Sequence, residues 1–118
     1  ATSEGAIDGI PATINTPYRE GKGFLYEGGV RVPFLLRGPG VKGGANVVMS
    51  SLDVFPTVLG LCGLKTDLTF DGQDLAPLLG GSGAERFPEL YWHYPHYANQ
   101  GSRPGGAVRH GNMKQTEF

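Results

Sequence analysis

Between Arg19 and Gly40 the chain reads REGKGFLYEGGVRVPFLLRGPG: a lysine held between two glycines, a second glycine pair, then a nearly continuous apolar run. Gly21 and Gly23 carry no Cβ, so the backbone there can turn sharply or be approached closely by another group. A lysine in that setting is either a binder of a phosphate- or sulfate-type anion or a solvated turn residue, and local spacing leaves both open. Glycine is abundant throughout, 20 of 118 residues, against a usual ~7%. No G-X-Y period accompanies it, which excludes a collagen-like chain. The excess points to a chain dominated by loops and tight turns, burying a modest core of its own and belonging to something larger.

Charge and hydropathy narrow the function classes. Ten basic residues face eleven acidic ones, a balance that argues against a nucleic-acid-binding face. No apolar run approaches the ~20 residues of a membrane span. The opening ATSEGAIDG has neither the basic nor the apolar region of a signal peptide. The single cysteine excludes an internal disulfide and leaves the compartment undecided.

Residues 1 to 21 show no helical or strand periodicity, and a structureless stretch of that length is usually functional or disordered. Val30 to Leu36 reads as a strand covered on both faces, with Pro33 placing it at an edge or near its start. The segment RGPGVKGGAN is a surface turn, and VVM a second short strand. Ser50 or Ser51 is the expected cap of a helix through LDVFPTVLGLCG, with Asp53 in its first turn and Gly63 at its end. Leu52, Phe55 and Leu59 share one face of it, with Val58 and Cys62 beside them, and Pro56 fits only the first turn without bending the helix. A further short helix is expected in FDGQDLAPLLGG, capped by Asp71 and stopped by Gly80. A subdomain boundary falls in residues 80 to 86. Beyond it ELYWHYPHY alternates as a strand, with Leu90, Trp92 and Tyr94 on one face and Tyr91 and His93 on the other. AVRHGNMKQTEF reads as a hairpin turning at Gly111-Asn112.

Most motif-like matches dissolve on inspection. A Walker A reading of GKG fails because Thr16 and Gly23 stand where glycine and Ser/Thr are required. GPGVKG spells GxGxxG, but no helix follows to hold a pyrophosphate. Cys62 reads as a small hydrophobe on a helix. His93 and His96 are three apart, which on a strand directs them to opposite faces and disfavours joint metal ligation, unless the bend at Pro95 changes that. WHYPHY is an amphipathic strand with tyrosine tips in water or a sugar-facing wall, and spacing alone favours the first. Glu27 and Arg31, flanking Gly28-Gly29, are expected to pair with each other.

Taken together and in order, GKGFLYEGGVRVPFLLRGPG, SSLDVFPTVLGLCG, FDGQDLAPLL and YWHYPHY resemble the type I sulfatases over essentially the whole chain, most closely bacterial exported enzymes of the arylsulfatase and N-acetylgalactosamine-6-sulfatase kind. The resemblance implies an alkaline-phosphatase-like α/β fold. Residues 1–80 would be the end of the large domain (loop, strand, short strand, two helices), and 81–118 the start of a small antiparallel C-terminal subdomain. It implies hydrolysis of sulfate esters, of a sulfated sugar or an aryl sulfate, by a cysteine-derived formylglycine with calcium on the sulfate oxygens. It makes Lys22 the catalytic residue that touches the sulfate, in accord with the preference of a clustered anion for a compact ammonium. His93 and His96 are then candidates for substrate binding. A periplasmic or secreted location follows from the same resemblance.

The departures from the family define what this chain lacks. Cys62 is followed by GLKT rather than the C-x-P/A-x-R nucleophile pattern. The calcium-binding aspartates, the Asp-Asn pair and the catalytic histidines of the family have no counterpart, and its closing strand KLIEF is here KQTEF. The chain is therefore expected to be a C-terminal portion whose partner is the N-terminal part of the same enzyme. Alone, it is expected to bind neither calcium nor nucleophile and to be inactive. The alternatives are a phosphoester or phosphonate hydrolase of the same superfamily, or a non-catalytic carbohydrate-binding module.

Overall fold

The computed structural model of the chain describes residues 13–42, 47–82 and 89–118. The opening dozen residues, including Asp8, and the part of the expected boundary beyond residue 82 lie outside these. The chain divides into two compact units, residues up to 34 grouped with 89–118, and residues 35–88.

In the first unit, three antiparallel strands form a sheet in the order β1 (Glu89–Tyr94), β2 (Gly105–His110) and β3 (Met113–Glu117). The expected hairpin is present: Gly111 takes the positive φ of 54° that a tight two-residue turn requires. β3 pairs along its length, Gly106 opposite Glu117 through His110 opposite Met113, despite its departure from the family sequence. Alternation places Leu90 and Trp92 on the half-buried face and Tyr91 and His93 on the exposed one, as the sequence implies, but Tyr94, expected with Leu90 and Trp92, is exposed at the strand end. Ala107 stands opposite Trp92 and is buried.

Preceding the sheet in sequence is a single helical turn, α1 (Glu27–Val30). A Cβ at Gly28 would collide with the carbonyl oxygens of Arg19 and Glu20, and one at Gly29 with those of Gly21 and Phe24. The glycine pair therefore lets the backbone around Lys22 fold directly beneath α1, closed by the Gly28 N–H donating to the Arg19 carbonyl at 3.0 Å. Glu27 and Arg31 do approach each other, at 3.9 Å. A nearer partner comes from 87 residues away: Lys114 Nζ lies 3.1 Å from Glu27 Oε1 and 4.7 Å from the centre of the Trp92 ring. Lys114 is 13% exposed, so this ion pair, backed by an aromatic face, joins α1 to the sheet.

The second unit is built around the helix anticipated after Ser50. A 3₁₀ turn, Ser51–Asp53, leads into α2 (Val54–Leu61). Ser50 and Asp53 form a reciprocal capping box, with Ser50 N–H donating to Asp53 Oδ2 at 2.7 Å and Leu52 N–H to Ser50 Oγ at 3.2 Å. Gly63, at φ 67°, ends the helix in a Schellman pattern, Leu64 N–H donating to the Leu59 carbonyl and Gly63 N–H to Gly60. A second helical turn, α3 (Ala76–Leu79), starts later than expected. Asp74, not Asp71, receives its first amide, from Ala76 at 2.8 Å, and Gly80 closes it.

Two expectations are overturned here, and the covered side of α2 is not its apolar one. Val30 to Leu36 is no paired strand: beyond α1 it has no sheet partner among the described residues, with Val32 73%, Phe34 48% and Leu35 96% exposed. Among the same residues Val47 to Met49 likewise joins no sheet. On α2 the covered side is polar. Asp53 and Thr57 are fully or almost fully buried beside Pro56, whereas Leu52, Phe55, Val58 and Cys62 are exposed. The reason is a set of backbone amides needing acceptors. Asp53 Oδ1 accepts from Gln73 N–H at 2.9 Å, and Thr57 Oγ1 accepts from Leu75 N–H at 3.0 Å while donating to the Gln73 carbonyl. These bonds strap residues 73–75 across the polar side of α2, while on its apolar side Leu52, Phe55 and Val58 stay exposed, with Phe70 edge-on to Phe55 at 5.5 Å and Leu59 half-buried.

Candidate anion site

Lys22 sits on a turn whose backbone is fixed from both sides. Its own N–H donates to Thr13 Oγ1 at 2.8 Å, and Thr13 occupies the space a side chain at Gly21 would need. On the other side Gly23 takes φ 101°. A Cβ there would lie 2.7 Å from the Cβ of Gln100 and 2.8 Å from its Oε1. Both glycines flanking the lysine are thus sites of close approach, and Gly23 also needs its backbone conformation. Lys22 itself is exposed. Among the described residues its ammonium makes no hydrogen bond or ion pair, leaving the charge open to a ligand.

Nearby cations are already engaged. The Arg19 guanidinium lies 3.9 Å from the centre of the Tyr26 ring, and that of Arg31 4.8 Å from Tyr18. They stiffen the framework on either side of the lysine turn. Tyr26 also meets Phe118, with ring centres 5.4 Å apart, so the turn region is packed against the end of β3.

The histidines occupy different settings. His93 lies within β1, opposite Gly106, on the exposed face with Tyr91. His96 follows the strand, exposed, edge-on to Tyr94 with ring centres 5.6 Å apart. The loop that begins with His96 continues to Gln100 and so returns to the lysine turn, whereas His93 stays in the sheet. Gln100 itself carries no sequence signal beyond its place in a loop. Its partnership with Gly23 joins residues 77 positions apart and exists only in three dimensions.

Cys62 is an exposed free thiol at the end of α2, followed by Leu64 and Thr66 where the formylglycine pattern requires Pro or Ala and Arg. It does not fit the nucleophile. Among the described residues no three His, Cys, Asp or Glu side chains converge on a point that could hold a metal ion. Calcium, which needs six to eight oxygens, is not accommodated by these residues.

Residues 20–118 match the family described as N-sulphoglucosamine sulphohydrolase, C-terminal. The chain belongs to the sulfatase family. It is 47% identical to steryl-sulfatase of Rattus norvegicus over 85 residues, which is 68% of this chain and 15% of that protein. Arylsulfatase A of Homo sapiens is 43% identical over 103 residues, 85% of this chain and 20% of the human protein. A sulfatase of Formosa agariphila is 32% identical over 108 residues, 83% of this chain and 20% of its own length. The sulfatase chain thus spans a fifth or less of these relatives, and the alkaline-phosphatase-like superfamily fold is theirs in common.

Proposed function

We propose that the chain forms the C-terminal part of a sulfate-ester hydrolase and contributes Lys22 to its anion site. The observation that carries this reading is the lysine turn: in a sulfatase chain, an ammonium is presented to solvent from a backbone clamped on both sides. When a sulfate ester is cleaved, negative charge grows on the departing oxygen and redistributes over the sulfate oxygens. A fixed positive charge beside them lowers the barrier, because its orientation is established before reaction. Formylglycine and calcium, which belong to the family's chemistry, would be supplied by the rest of the enzyme.

The substrate we assign is a sulfated sugar. Tyr91 and Tyr97 are 75% and 80% exposed, and with His93 and His96 they offer flat rings and polar tips of the kind that cover sugar faces. The division at residue 80 is proposed as the boundary between the large domain and the C-terminal subdomain of the complete protein. Its partner is the remainder of the same enzyme, and an extracytoplasmic location accords with the reading.

Steady-state kinetics on the complete protein test the role of Lys22. Lys22→Ala should lower kcat for a sulfate ester by about 10²–10³, the effect of removing one preorganised donor. The melting temperature should barely change, since the side chain is exposed. Lys22→Arg should also be poor, because a planar fork does not replace a compact charge. Retention of activity within about threefold in Lys22→Ala, far short of that donor effect, would make the lysine a turn residue.

A further inference from the structure

We propose that Gln100 is a positioning residue for Lys22, an inference that rests on the reading of Lys22 as the sulfate-facing cation. The side chain of Gln100 occupies the space over Gly23 that a side chain of residue 23 would fill. Its Cβ, Cγ and Oε1 all lie within 3.1 Å of the Cβ position at Gly23. With Thr13 Oγ1 holding the Lys22 amide from the other side, the lysine's backbone has one neighbour fixing it at each glycine. Removing either neighbour frees the turn to rotate and moves the ammonium at the end of a four-carbon stem.

Gln100 can act this way because its own loop is closed. Ala98 N–H donates to the Ser102 carbonyl at 3.1 Å, and Gly101 N–H to the Ala98 carbonyl at 2.9 Å. Gly101 supplies the required positive φ of 96°, and Ser102 at the loop's base is 5% exposed. Gln100 is therefore carried on a tight turn rather than on a free strand of chain. The same loop begins with His96 and Tyr97, so one small body presents two of the proposed sugar-facing side chains and sets the cation. A shape role of this kind requires bulk at residue 100, not an amide.

Positioning acts on the chemical step more than on binding. A displacement of the order of 1 Å costs up to ~10² in rate, so Gln100→Ala in the complete enzyme should lower kcat about tenfold, with KM changed by less than about threefold. Gln100→Met, which keeps the stem without the amide, should recover most of that loss. In a Lys22→Ala background, Gln100→Ala should have no further effect, because residues acting through one group are not additive. Melting temperatures on the same preparations separate this from a folding defect.

Four outcomes overturn the inference: an unchanged kcat in Gln100→Ala, a loss confined to KM, a Gln100→Met variant as poor as the alanine, or losses that multiply with Lys22→Ala. Where Gln100→Ala does not fold, a folded Gln100→Met protein that stays well below the wild-type rate also overturns it. A wild-type protein that hydrolyses no sulfate ester, or a Lys22→Ala protein of full activity, removes the functional reading itself and this inference with it.

Discussion

Val30–Leu36 and Glu89–Tyr94 both read as strands, yet only the second is one. β1 finds β2 within the same chain and pairs from Glu89 opposite His110 to Tyr94 opposite Gly105. The first segment runs extended after α1, with Leu35 almost fully exposed and no sheet partner among the described residues. Strand propensity and apolar pattern are properties of the segment, whereas a ladder of hydrogen bonds is a property of two segments. The difference teaches which parts of this chain are complete in themselves. β2 is paired on both sides within the chain, and α2 is capped and strapped by residues of the chain itself. The apolar run is suited to a sheet built from chain outside these residues, in keeping with a sequence that spans a fifth or less of its relatives.

Hydrogen exchange on the 118-residue chain gives the sharpest test of this contrast. Amides of β2 that pair on both sides, such as Ala107 and Val108, should exchange about 10³-fold more slowly than those of Val32, Phe34, Leu35 and Leu36, as expected for opening energies near ~4 kcal/mol against none. Comparable rates in the two segments would erase the distinction. In the complete protein the Val32–Leu36 amides should become protected.

The next effect in size concerns how α2 is held. Asp53→Ala removes the capping partner of Ser50 and the acceptor of Gln73 N–H in one step. It should destabilise the second unit by about 3 kcal/mol, the sum of a lost cap and an unsatisfied buried amide. Chemical denaturation followed by a probe in that unit measures it, and a loss below about 1 kcal/mol, less than a single cap, would mean that the polar side of α2 is not what holds it.

A smaller loss is expected in the other unit. Lys114→Met keeps a side chain of similar length and removes the charge that meets Glu27 and lies over Trp92. Glu27 is 34% exposed, so solvent screens the pair and the expected cost is about 1–2 kcal/mol. Glu27→Gln combined with Lys114→Met should cost little more than either alone. Additive losses in that double-mutant cycle would show that the two residues act separately.

Smallest of all should be Leu35→Ser. In the 118-residue chain the change should stay within about ±0.5 kcal/mol, as for a surface site, because Leu35 is 96% exposed. In the complete protein the same substitution should cost several times more, as a core change does. An equal effect in both would break the contrast from the other side.

Local signals made much of the fold legible. Ser50 with Asp53 announced a helix start, Gly63 and Gly80 the helix ends, and Gly111-Asn112 the hairpin, because each depends on a few adjacent residues. The spacing groups Leu52, Phe55 and Leu59 on one side of the helix but does not fix which side is covered. Apolar periodicity marks a face able to be buried, but among the described residues the amides of Gln73 and Leu75 claim the opposite side. For the site, Lys22 stood out through its glycines and the family resemblance. Gln100 and Lys114 did not, since an ordinary glutamine in a loop and an ordinary lysine on a strand acquire their roles only from distant partners.

Residue types alone are enough for the sulfatase family, the turn that exposes Lys22, the caps of α2 and the hairpin of β2 and β3. These follow from residue types acting within a few positions of each other, where glycine conformations, capping oxygens and two-residue turns leave few alternatives. Tertiary structure alone decided that Gln100 seats on Gly23, that Lys114 rather than Arg31 is the nearer partner of Glu27, and that α2 buries Asp53 and Thr57. The last two are competitions among distant groups for one contact, settled by which backbone amides and charges need a partner, whereas the first is a matter of shape, since only a residue without a Cβ leaves room for Gln100.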